Sequence, residues 1–382
     1  MAQSSPVSVL FDATAIPADR GGVGRYVDAI VAELAARSEI DLAVVCQSRD
    51  VDGFRAAGAR TVIGLPPRFS RVPLRLAWEQ LRLPRLARRL GADVIYSPHY
   101  TFPVLTALPR VVSIWDLTFF TLPEAHSTLK RLFFRSWIRA SRFTRNLVMT
   151  SSQASADELT RIVGTPAARI RVAPLAYDRE RFAVPAPSEV EAFRASLTPP
   201  VAAWIAFLGT LEPRKNVPAL IEAYRSAVAG RSERPALLLA GGRGWDDDVQ
   251  PAVDRAVADG FDVRALGYLP IEQLKDFLGG AEIVAYPSLG EGFGLPVLEA
   301  MATGACVLTT RELSLPEVGG DAVAYAGTDA ASIATALGEL LDDAEARRVL
   351  GRAAVARAAQ FTWSHNADLL VAALVAAAEA AR

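Results

Sequence analysis

Cysteine and histidine are scarce in this 382-residue sequence, and neither sign of charge dominates it. The only two cysteines, Cys46 and Cys306, lie in apolar, strand-like runs. We therefore expect buried free thiols and a reducing compartment rather than a disulfide framework. The three histidines, His99, His126 and His365, are scattered along the sequence. They do not show the clustered spacing of a metal site, so no metal is expected.

Long hydrophobic runs are also lacking, although 51% of the residues are apolar. No uninterrupted run approaches the roughly 18–20 apolar residues that a membrane-spanning helix needs. The first residues, MAQSSPVSVLFDAT, lack the charged start and long apolar segment of a signal peptide. We therefore expect a soluble, cytoplasmic protein. The formal net charge of −1 gives no general reason to expect a nucleic acid as partner.

Strand and helix patterns alternate along most of the chain, which predicts an α/β fold with parallel sheets. The predicted strands are Val7–Phe11, Leu42–Cys46, Thr61–Ile63, Val94–Ser97, Val111–Ile114 and Leu147–Thr150 in a first series, and Trp204–Leu208, Ala236–Ala240, Val263–Leu266, Ile283–Tyr286, Val307–Thr309 and Val323–Tyr325 in a second. A chain of this length exceeds one ordinary core. We predict two doubly wound domains, 1–183 and 184–365, with a final helix over 366–382 that packs back on the first.

The segment 288–304, SLGEGFGLPVLEAMATG, joins a predicted buried strand to a helix predicted over Pro296–Ala302. Its loop holds three glycines, and a glycine loop before a helix can bind an anion through backbone N–H groups and the helix dipole. Glu291 in the loop and Glu299 in the helix are more suited to accept hydrogen bonds from hydroxyls than to bind phosphate. This combination favours a phosphorylated sugar as ligand.

A second motif, GTLEPRKN from Gly209 to Asn216, directly follows the strand predicted over Trp204–Leu208. Arg214 offers a planar fork of donors and Lys215 a point charge, which together suit a diphosphate. By itself the pair is equally typical of a solvated basic pair before a helix. Because ligands bind at the carboxyl ends of the strands in such sheets, its pairing with the glycine loop favours the functional interpretation.

In this order and spacing, the two motifs resemble the nucleotide-sugar site of retaining glycosyltransferases of family 4, which have the GT-B fold of two Rossmann-like domains facing a central cleft. The resemblance covers nearly the whole chain. It extends to GGVGRY near the N-terminus, WDLTFF at 115–120, TSSQASADEL at 150–159, LLLAGGRGW at 237–245, LGYLP at 266–270 and LSLPEVGGDAV at 313–323.

The resemblance implies a role for each matching residue. Arg214 and Lys215 would bind the diphosphate of the donor and stabilise the leaving group, and Glu291 would contact the hydroxyls of the transferred sugar. The remaining donor-binding positions that it implies are Gly209, the backbone of Phe293, Gly294 and Leu295, Glu299 at the ribose, Leu269 at the base, and Gly22 in a tight loop of the facing domain. The family is thought to act with retention by front-face attack, so no protein nucleophile is named.

The sequence departs from the family at Trp115, where His is common. Tryptophan cannot accept a hydrogen bond, although it can stack on a sugar face. Asp116 keeps the family residue and is the fourth catalytic candidate, with a strand-end turn residue as the equal alternative. His99 either lines the cleft or makes a structural hydrogen bond. The triplet 246–248, Asp-Asp-Asp, is better explained by capping of the next helix than by a metal.

The N-terminal half contains two arginine-rich stretches with aromatic residues between the charges. The basic residues are Arg68, Arg71, Arg75, Arg82, Arg85, Arg88 and Arg89 in one stretch, and Lys130, Arg131, Arg135, Arg139, Arg142 and Arg145 in the other. Such helices can lie on an anionic membrane surface. The alternative, slightly favoured, is that the arginines face water while the aromatic residues enter the core.

We therefore predict an enzyme that transfers a hexose, with retention and without a metal, from a nucleoside diphosphate sugar to a glycan or lipid-linked acceptor. GGVGRY with WDLTFF resembles bacterial mannosyl and rhamnosyl transferases of polysaccharide assembly, which favours mannose. No cofactor is expected beyond the sugar nucleotide, because the Gly22-Val-Gly24 segment lacks the third glycine of a dinucleotide fingerprint. A sugar phosphorylase, a nucleotide-sugar epimerase and a non-catalytic sugar-nucleotide binder stay open as alternatives.

Overall fold

The computed structural model describes residues 5–18, 20–143 and 146–381. These residues form two compact units. The first unit contains the residues up to 175 together with those from 362 onward, and the second contains residues 176–361. The functional labels given to the two predicted domains, and their boundary at residue 183, stay predictions.

The first unit is built on a parallel sheet of seven strands in the order β3-β2-β1-β4-β5-β6-β7. Its strands are β1 Val7–Ala13, β2 Ile40–Gln47, β3 Thr61–Leu65, β4 Val94–Ser97, β5 Arg110–Ser113, β6 Asn146–Thr150 and β7 Ile170–Val172. The strand order reverses between β1 and β4, which is the doubly wound arrangement.

The second unit is built on a parallel sheet of six strands in the order β10-β9-β8-β11-β12-β13. Its strands are β8 Trp204–Leu208, β9 Ala236–Ala240, β10 Val263–Gly267, β11 Ile283–Tyr286, β12 Val307–Thr310 and β13 Ala324–Ala326. Here the order reverses between β8 and β11. The predicted α/β class with two Rossmann-like domains is confirmed.

Helices connect the strands in both units. They are α1 Gly21–Ala35, α2 Val51–Ala56, α3 Val72–Leu81, α4 Leu83–Arg89, α5 Thr118–Thr121, α6 Thr128–Phe143, α7 Gln153–Glu158, α8 Pro187–Ser196, α9 Val217–Val228, α10 Val249–Ala258, α11 Ile271–Gly279, α12 Leu295–Ala302, α13 Leu315–Gly319, α14 Ala330–Asp342, α15 Ala344–Ala358 and α16 Trp363–Glu379. Among the described residues, no helix has both the length and the apolar composition needed to span a bilayer.

The central strands are continuous apolar runs because both faces of a parallel sheet are covered by helices. All five residues of β9 and all four of β11 are buried. Burial of that kind supplies most of the free energy that holds each unit together. It also explains why short strands without alternating polar residues could be predicted here.

Helix α16 belongs to the first unit, although it follows the whole of the second in sequence. The amide nitrogen of Asn366 donates to the carbonyl oxygens of Ala173 and Pro174, at 3.0 and 2.9 Å. Its first residue, Trp363, packs edge-on against Tyr26 of α1 at a centroid distance of 5.9 Å. The last predicted helical residue, Arg382, lies outside the described residues.

One expectation needs correction in the first unit, and one of its strands was missed. Helix α1 begins at Gly21, so Gly22 lies in the first helical turn and not in a loop. Close packing requires a glycine at position 24 of the same helix, because a Cβ at Gly24 would lie 3.0 Å from the Cβ of Arg20. Strand β7, Ile170–Val172, was not among the predicted strands.

Candidate active site

The two motifs of the second unit lie at the carboxyl ends of β8 and β11, which are adjacent in its sheet. This is the position where the strand order reverses. In open α/β sheets a crevice forms at such a switch point, because the connections on either side run in opposite directions. Residues 76 positions apart in sequence are thereby brought into hydrogen-bonding contact.

The segment after β8 is fixed by close backbone packing. The N–H of Gly209 donates to the carbonyl oxygen of Ala240 at 2.9 Å. Gly241 has φ +138°, and a Cβ at that position would overlap the carbonyl oxygen of Gly209. Residues 213–215 then form one turn of 3₁₀ helix, and Asn216, with φ +60°, leads into α9. The short turn places Arg214 and Lys215 at the crevice.

The glycine loop after β11 is held by hydroxyl groups from the neighbouring strand and loop. The Thr310 hydroxyl donates to the carbonyl oxygen of Ser288 at 2.6 Å. Ser314 Oγ lies 2.8 Å from the carbonyl oxygen of Glu291 and 2.9 Å from that of Phe293. These bonds fix the loop backbone, so that the Glu291 side chain is presented in one direction.

Glu291 forms ion pairs with both cations of the preceding motif. Its Oε2 atom lies 2.5 Å from Nη1 of Arg214, and its Oε1 atom lies 2.6 Å from Nζ of Lys215. The Tyr286 hydroxyl, which accepts a hydrogen bond from Lys215, donates to Oε1 of Glu291 at 3.0 Å. Ser288 Oγ lies 2.8 Å from the same oxygen. We call Arg214, Lys215, Tyr286 and Glu291 the ion cluster.

Lys215, Tyr286 and Glu291 are buried and Arg214 is half-buried. Burial alone would raise the pKa of the Glu291 carboxyl. The charges of Arg214 and Lys215 outweigh that effect, so the pKa lies well below its ordinary value. Burial, together with the charge of Arg214, lowers the pKa of Lys215. Burial and the adjacent Glu291 raise the pKa of the Tyr286 hydroxyl well above its ordinary value. Glu291 is therefore a permanent anion at physiological pH.

A second carboxylate, Glu212, completes the charge balance of the site. Its Oε1 atom lies 2.6 Å from Nη2 of Arg214. Arg214 thus contacts two carboxylates, those of Glu212 and Glu291. The positive charges of Arg214 and Lys215 are matched by the negative charges of these two carboxylates. Glu212 and Tyr286 were not among the predicted site residues, although Glu212 is part of the GTLEPRKN motif. The sequence signal that could have identified them was the position of Tyr286 at the end of a strand and of Glu212 within the motif.

The structure places the other predicted donor-binding residues as follows. Gly294 has φ +103° and is the last residue before α12, where a Cβ would lie 2.9 Å from Leu315 Cδ2. Leu295 is the first residue of α12, Glu299 is buried in the same helix, and Phe293 packs against Phe361. Leu269 follows β10, two strands from β8 at the sheet edge.

Asp116 and Trp115 lie in the first unit and have local partners there. Oδ1 of Asp116 accepts hydrogen bonds from the backbone N–H of Thr118 at 3.0 Å and from its hydroxyl at 2.7 Å. The indole N–H of Trp115 donates to the carbonyl oxygen of Pro98 at 2.9 Å, and its ring packs edge-on against Tyr26 at 4.6 Å. Both side chains thus have structural bonds, and a catalytic role for Asp116 stays a prediction.

His99 makes structural hydrogen bonds, as one of its two predicted alternatives has it, and they belong to a buried polar network whose other members were not predicted. Its Nδ1 atom lies 3.1 Å from Oγ1 of Thr101, and its Nε2 atom lies 3.2 Å from the carbonyl oxygen of Asp12. Ligand atoms of His99, Asp12 and Glu79 come within 4.8 Å of one another, so His99 does share a cluster with two carboxylates. Arg75, 2.6 Å from Glu79, already balances one of the negative charges.

The aspartate triplet before α10 also differs from expectation. Asp248 precedes the helix without a side-chain capping bond, so the predicted cap is wrong in detail. Oδ1 of Asp246 instead accepts the backbone N–H of Asp248 at 3.1 Å. The triplet forms a turn stabilised by its own first residue.

Comparisons with known proteins agree with this geometry. The family model Glycosyl transferases group 1 matches residues 202–343, and Glycosyltransferase Family 4 matches residues 20–181. The O-antigen chain mannosyltransferase B of Escherichia coli is 31% identical over 94% of this chain and 97% of that protein. The chain belongs to glycosyltransferase family 4.

As a family 4 glycosyltransferase, the chain is a hexosyl-transferring enzyme. It is also similar to the D-inositol 3-phosphate glycosyltransferase of Corynebacterium urealyticum, with 28% identity over 74% of this chain and 71% of that protein. The crystal structure of Anabaena Alr3699/HepE in complex with UDP and glucose superposes with a TM-score of 0.76 and 18% identity, covering 97% of this chain and 100% of that one. That likeness confirms the predicted GT-B fold.

Proposed function

We propose that this glycosyltransferase moves a hexose, with retention and without a metal, from a nucleoside diphosphate sugar to a glycan or lipid-linked acceptor. The observation that carries the proposal is the ion cluster at the switch point of the second sheet. Mannose is the favoured hexose, because the Escherichia coli relative is a mannosyltransferase of the O-antigen chain. A sugar nucleotide as donor agrees with the UDP and glucose bound in Alr3699/HepE.

Arg214 and Lys215 have the chemistry that departure of a nucleoside diphosphate requires. Breaking the bond from the sugar to the diphosphate builds negative charge on the leaving group. Fixed cations in a buried site stabilise that charge more strongly than water does, because they are already oriented. The guanidinium fork of Arg214 can hold two phosphate oxygens, and Lys215 can follow the oxygen from which the sugar departs.

The carboxylates prepare the cations for this role. Without counterions, Arg214 and Lys215 would repel each other, and burial would favour the neutral form of Lys215. Glu212 and Glu291 keep them ionised and close together before the donor arrives. We infer that the diphosphate replaces part of this contact, while Glu291 remains available to accept hydrogen bonds from hexose hydroxyls. Glu299 is assigned to the ribose.

Metal independence follows from the same residues in this proposal. The role that a divalent cation would have, neutralising the leaving group, is given to Arg214 and Lys215. No side chain is assigned as nucleophile, since retention is proposed to occur by front-face attack of the acceptor. Asp116 is retained as the fourth catalytic candidate.

The test is transfer of hexose by the purified chain from GDP-mannose, UDP-glucose and related donors, with and without EDTA. We expect an α-linked product from an α-linked donor, unaffected by EDTA, and a loss of about a hundredfold or more in kcat/KM for Lys215→Ala and Glu291→Ala. The matched control is Lys275→Ala, which removes another lysine of the same unit, paired with Glu189 at 2.8 Å.

Each contrary outcome rejects a defined part of the proposal. Inversion of the anomeric centre rejects front-face retention, and loss of activity in EDTA rejects metal independence. Sugar release that requires inorganic phosphate and no nucleotide favours a phosphorylase, and conversion of the donor to an epimer favours an epimerase. If Lys215→Ala and Glu291→Ala equal the parent, the site assignment is wrong.

A further inference from the structure

The two arginine-rich stretches of the first unit differ from the expectation that their arginines face water while their aromatic residues enter the core. Arg75 of the first stretch is only 7% exposed, and Phe143 of the second is 79% exposed. Arg145, in the second stretch, lies outside the described residues. A buried guanidinium needs carboxylate partners and hydrogen bonds inside the protein. The groups around Arg75 form a polar network at the carboxyl ends of β1 and β4.

This network joins five buried side chains, and we call it the His99 network: Asp12, Arg75, Glu79, His99 and Thr101. The hydroxyl of Thr101 lies at its centre. It donates to Oε2 of Glu79 at 2.7 Å, and Nδ1 of His99 lies 3.1 Å from the same hydroxyl oxygen. Nη1 of Arg75 lies 2.6 Å from Oε2 of Glu79. Nε2 of His99 lies 3.2 Å from the carbonyl oxygen of Asp12 and 3.6 Å from Oδ2 of its carboxyl group.

The hydrogen bonds of the network are complete only when Glu79 and His99 together hold one extra proton. A carbonyl oxygen only accepts, so Nε2 of His99 must carry a hydrogen. The single hydroxyl hydrogen of Thr101 cannot serve both Glu79 and Nδ1 of His99. When it goes to an ionised Glu79, Nδ1 must also carry a hydrogen. When it goes to Nδ1, Glu79 must be protonated.

The charges of the network lead to the same count. Arg75 contributes one positive charge, and the carboxylates of Asp12 and Glu79 contribute two negative charges, so one extra proton makes the buried group neutral. Burial raises the pKa of the Glu79 carboxyl, and the charge of Asp12 adds to that effect. Burial alone would raise the pKa of the Asp12 carboxyl, but the hydrogen bond and the charge of His99 lower it. Among the described residues, the charged groups that face His99 thus come from β1 and α3.

The His99 network also encloses a strained residue. Tyr100, which lies between His99 and Thr101 in sequence, has φ +42°, a conformation that residues other than glycine rarely adopt. Such a conformation persists only where the surrounding structure determines it, and it is common beside functional sites. Here both sequence neighbours of Tyr100 belong to the network, so the network fixes the backbone on either side of it.

Tyr100 connects the network to Asp116. Its backbone N–H donates to the carbonyl oxygen of Ser113, the last residue of β5, at 3.0 Å. Its hydroxyl accepts a hydrogen bond from the backbone N–H of Asp116 at 3.2 Å. Its ring packs edge-on against Phe119 at a centroid distance of 6.0 Å. The position of the Asp116 backbone therefore depends on that of Tyr100.

We propose that the His99 network positions Asp116 through Tyr100. It does so only while Glu79 and His99 share the extra proton. The effect on catalysis rests on the proposed function, in which Asp116 is the fourth catalytic candidate. Loss of the proton leaves two anions facing one cation, and the hydroxyl hydrogen of Thr101 can then serve only one of its two acceptors. Because Asp116 is then held less accurately, hexosyl transfer declines at alkaline pH.

The test compares two replacements of Thr101. Thr101→Val keeps the size of the side chain but removes the hydroxyl, whereas Thr101→Ser keeps the hydroxyl. We expect Thr101→Val to lower kcat about tenfold, with less than about a twofold change in KM for the donor, and Thr101→Ser to retain most of the parent's kcat. The kcat of the parent and of Thr101→Ser should fall above about pH 7, and Thr101→Val should lose this dependence. Thr335→Val, which removes an exposed hydroxyl of α14, is the control and should equal the parent.

Two further measurements do not require activity, so they are independent of the proposed function. An unfolded chain releases its histidine protons near about pH 6.5, so a folded network that keeps the extra proton loses stability as pH rises further. Unfolding free energies from urea titration should therefore fall between about pH 7 and 9 in the parent, and much less in His99→Gln. The imidazole NMR signals come from three histidines, and His126→Gln and His365→Gln assign them. The His99 signal should change over the same pH range as kcat.

Each outcome supports or overturns the proposal. Equal kcat values and pH profiles for Thr101→Val and Thr101→Ser overturn it, as does a parent stability that does not fall between about pH 7 and 9. If the parent transfers no hexose while its stability and the His99 signal follow pH as expected, the proposed function fails and the shared proton is supported. A melting temperature that Zn²⁺ raises in the parent but not in His99→Gln would show that the cluster binds a metal in place of the proton, which also overturns the proposal.

Discussion

Arg214 contacts Glu291 through atoms 2.5 Å apart, across two adjacent strand ends. The same carboxylate contacts Lys215, so a single acidic side chain organises both cations of the site. The arrangement has a consequence for function: the cations are positioned before any donor is present. Preorganised charges contribute more to catalysis than charges that must move during the reaction.

Replacement of Glu291 by alanine should destabilise the second unit as well as abolish transfer. Removing one partner of a buried ion pair leaves uncompensated charge, which costs about 3–5 kcal/mol. Urea unfolding followed by circular dichroism measures the change. Glu282→Ala, which removes a half-exposed partner of Arg347, is the control and should cost less than about 1 kcal/mol. Equal losses of unfolding free energy for the two variants would show that the ion pairs of Glu291 stabilise the protein no more than a half-exposed ion pair does.

The contribution of Glu291 to stability should depend on pH in a defined direction. Its folded pKa lies below the ordinary value of 4.5, so the unfolded chain takes up the proton first as pH falls. The stabilisation is then fully present above about pH 4.5 and is lost progressively at lower pH. Unfolding free energies of the parent and Glu291→Gln, measured over a pH series, should differ by a constant amount near neutrality and converge in acid. A difference that stays constant down to strongly acidic pH contradicts the lowered pKa of Glu291.

Glu212→Gln should strengthen binding of a nucleoside diphosphate. The substitution keeps the size of the side chain but removes one of the two negative charges beside Arg214. We expect a Kd about threefold to tenfold lower, with a steeper dependence on salt, by isothermal titration calorimetry. Glu222→Gln, at an exposed ion pair with Arg225 in the same unit, should leave the affinity unchanged. Weaker binding by Glu212→Gln would mean that this carboxylate orients Arg214 more than it competes with phosphate.

Ser314→Ala should loosen the glycine loop without altering the ion cluster chemically. Its hydroxyl is within bonding distance of the carbonyl oxygens of Glu291 and Phe293, which lose this partner. Leaving a buried acceptor unsatisfied costs about 1–3 kcal/mol, and we expect kcat to fall with it because Glu291 is presented less accurately. Urea unfolding and steady-state kinetics measure the two effects. Ser196→Ala, which removes a bond within α8, serves as control and should leave kcat unchanged.

Trp115→Phe tests whether this side chain is structural. The variant keeps an aromatic contact with Tyr26 but cannot donate to the carbonyl oxygen of Pro98. We expect a loss of about 1 kcal/mol in unfolding free energy and a change in kcat/KM of less than about threefold. A loss of activity far beyond that, with unchanged stability, would place Trp115 at the substrate.

Much of the second unit could be predicted because β8, β9 and β11 are uninterrupted apolar runs followed by Gly or Pro. The bounds of β8, β9 and β11 coincide with the predicted ones for that reason. Helix α1 was harder, since glycines in its first turn resemble a loop in sequence. There, glycine allows close approach of neighbouring side chains, which only the folded structure reveals.

The motifs identified Arg214, Lys215 and Glu291 but not the contacts among them. Those contacts depend on β8 and β11 being neighbours, which follows from the order of strands and not from any local pattern. The same holds for His99. It lies close to Asp12 because β1 and β4 are adjacent, and close to Glu79, which lies in α3. Local sequence carries no signal for such pairs, because their members lie far apart in the chain.

Because α16 belongs to the first unit, that unit is completed only after the second unit has been synthesised. The second unit is one continuous segment, so it can fold as soon as it leaves the ribosome. The first unit is discontinuous and must wait for residues 362–381, even though most of it is translated earlier. During that interval the surface later covered by α16, including Tyr26, lacks its cover. A nascent chain that stalls within α15 would therefore hold a nearly complete second unit and an unfinished first unit.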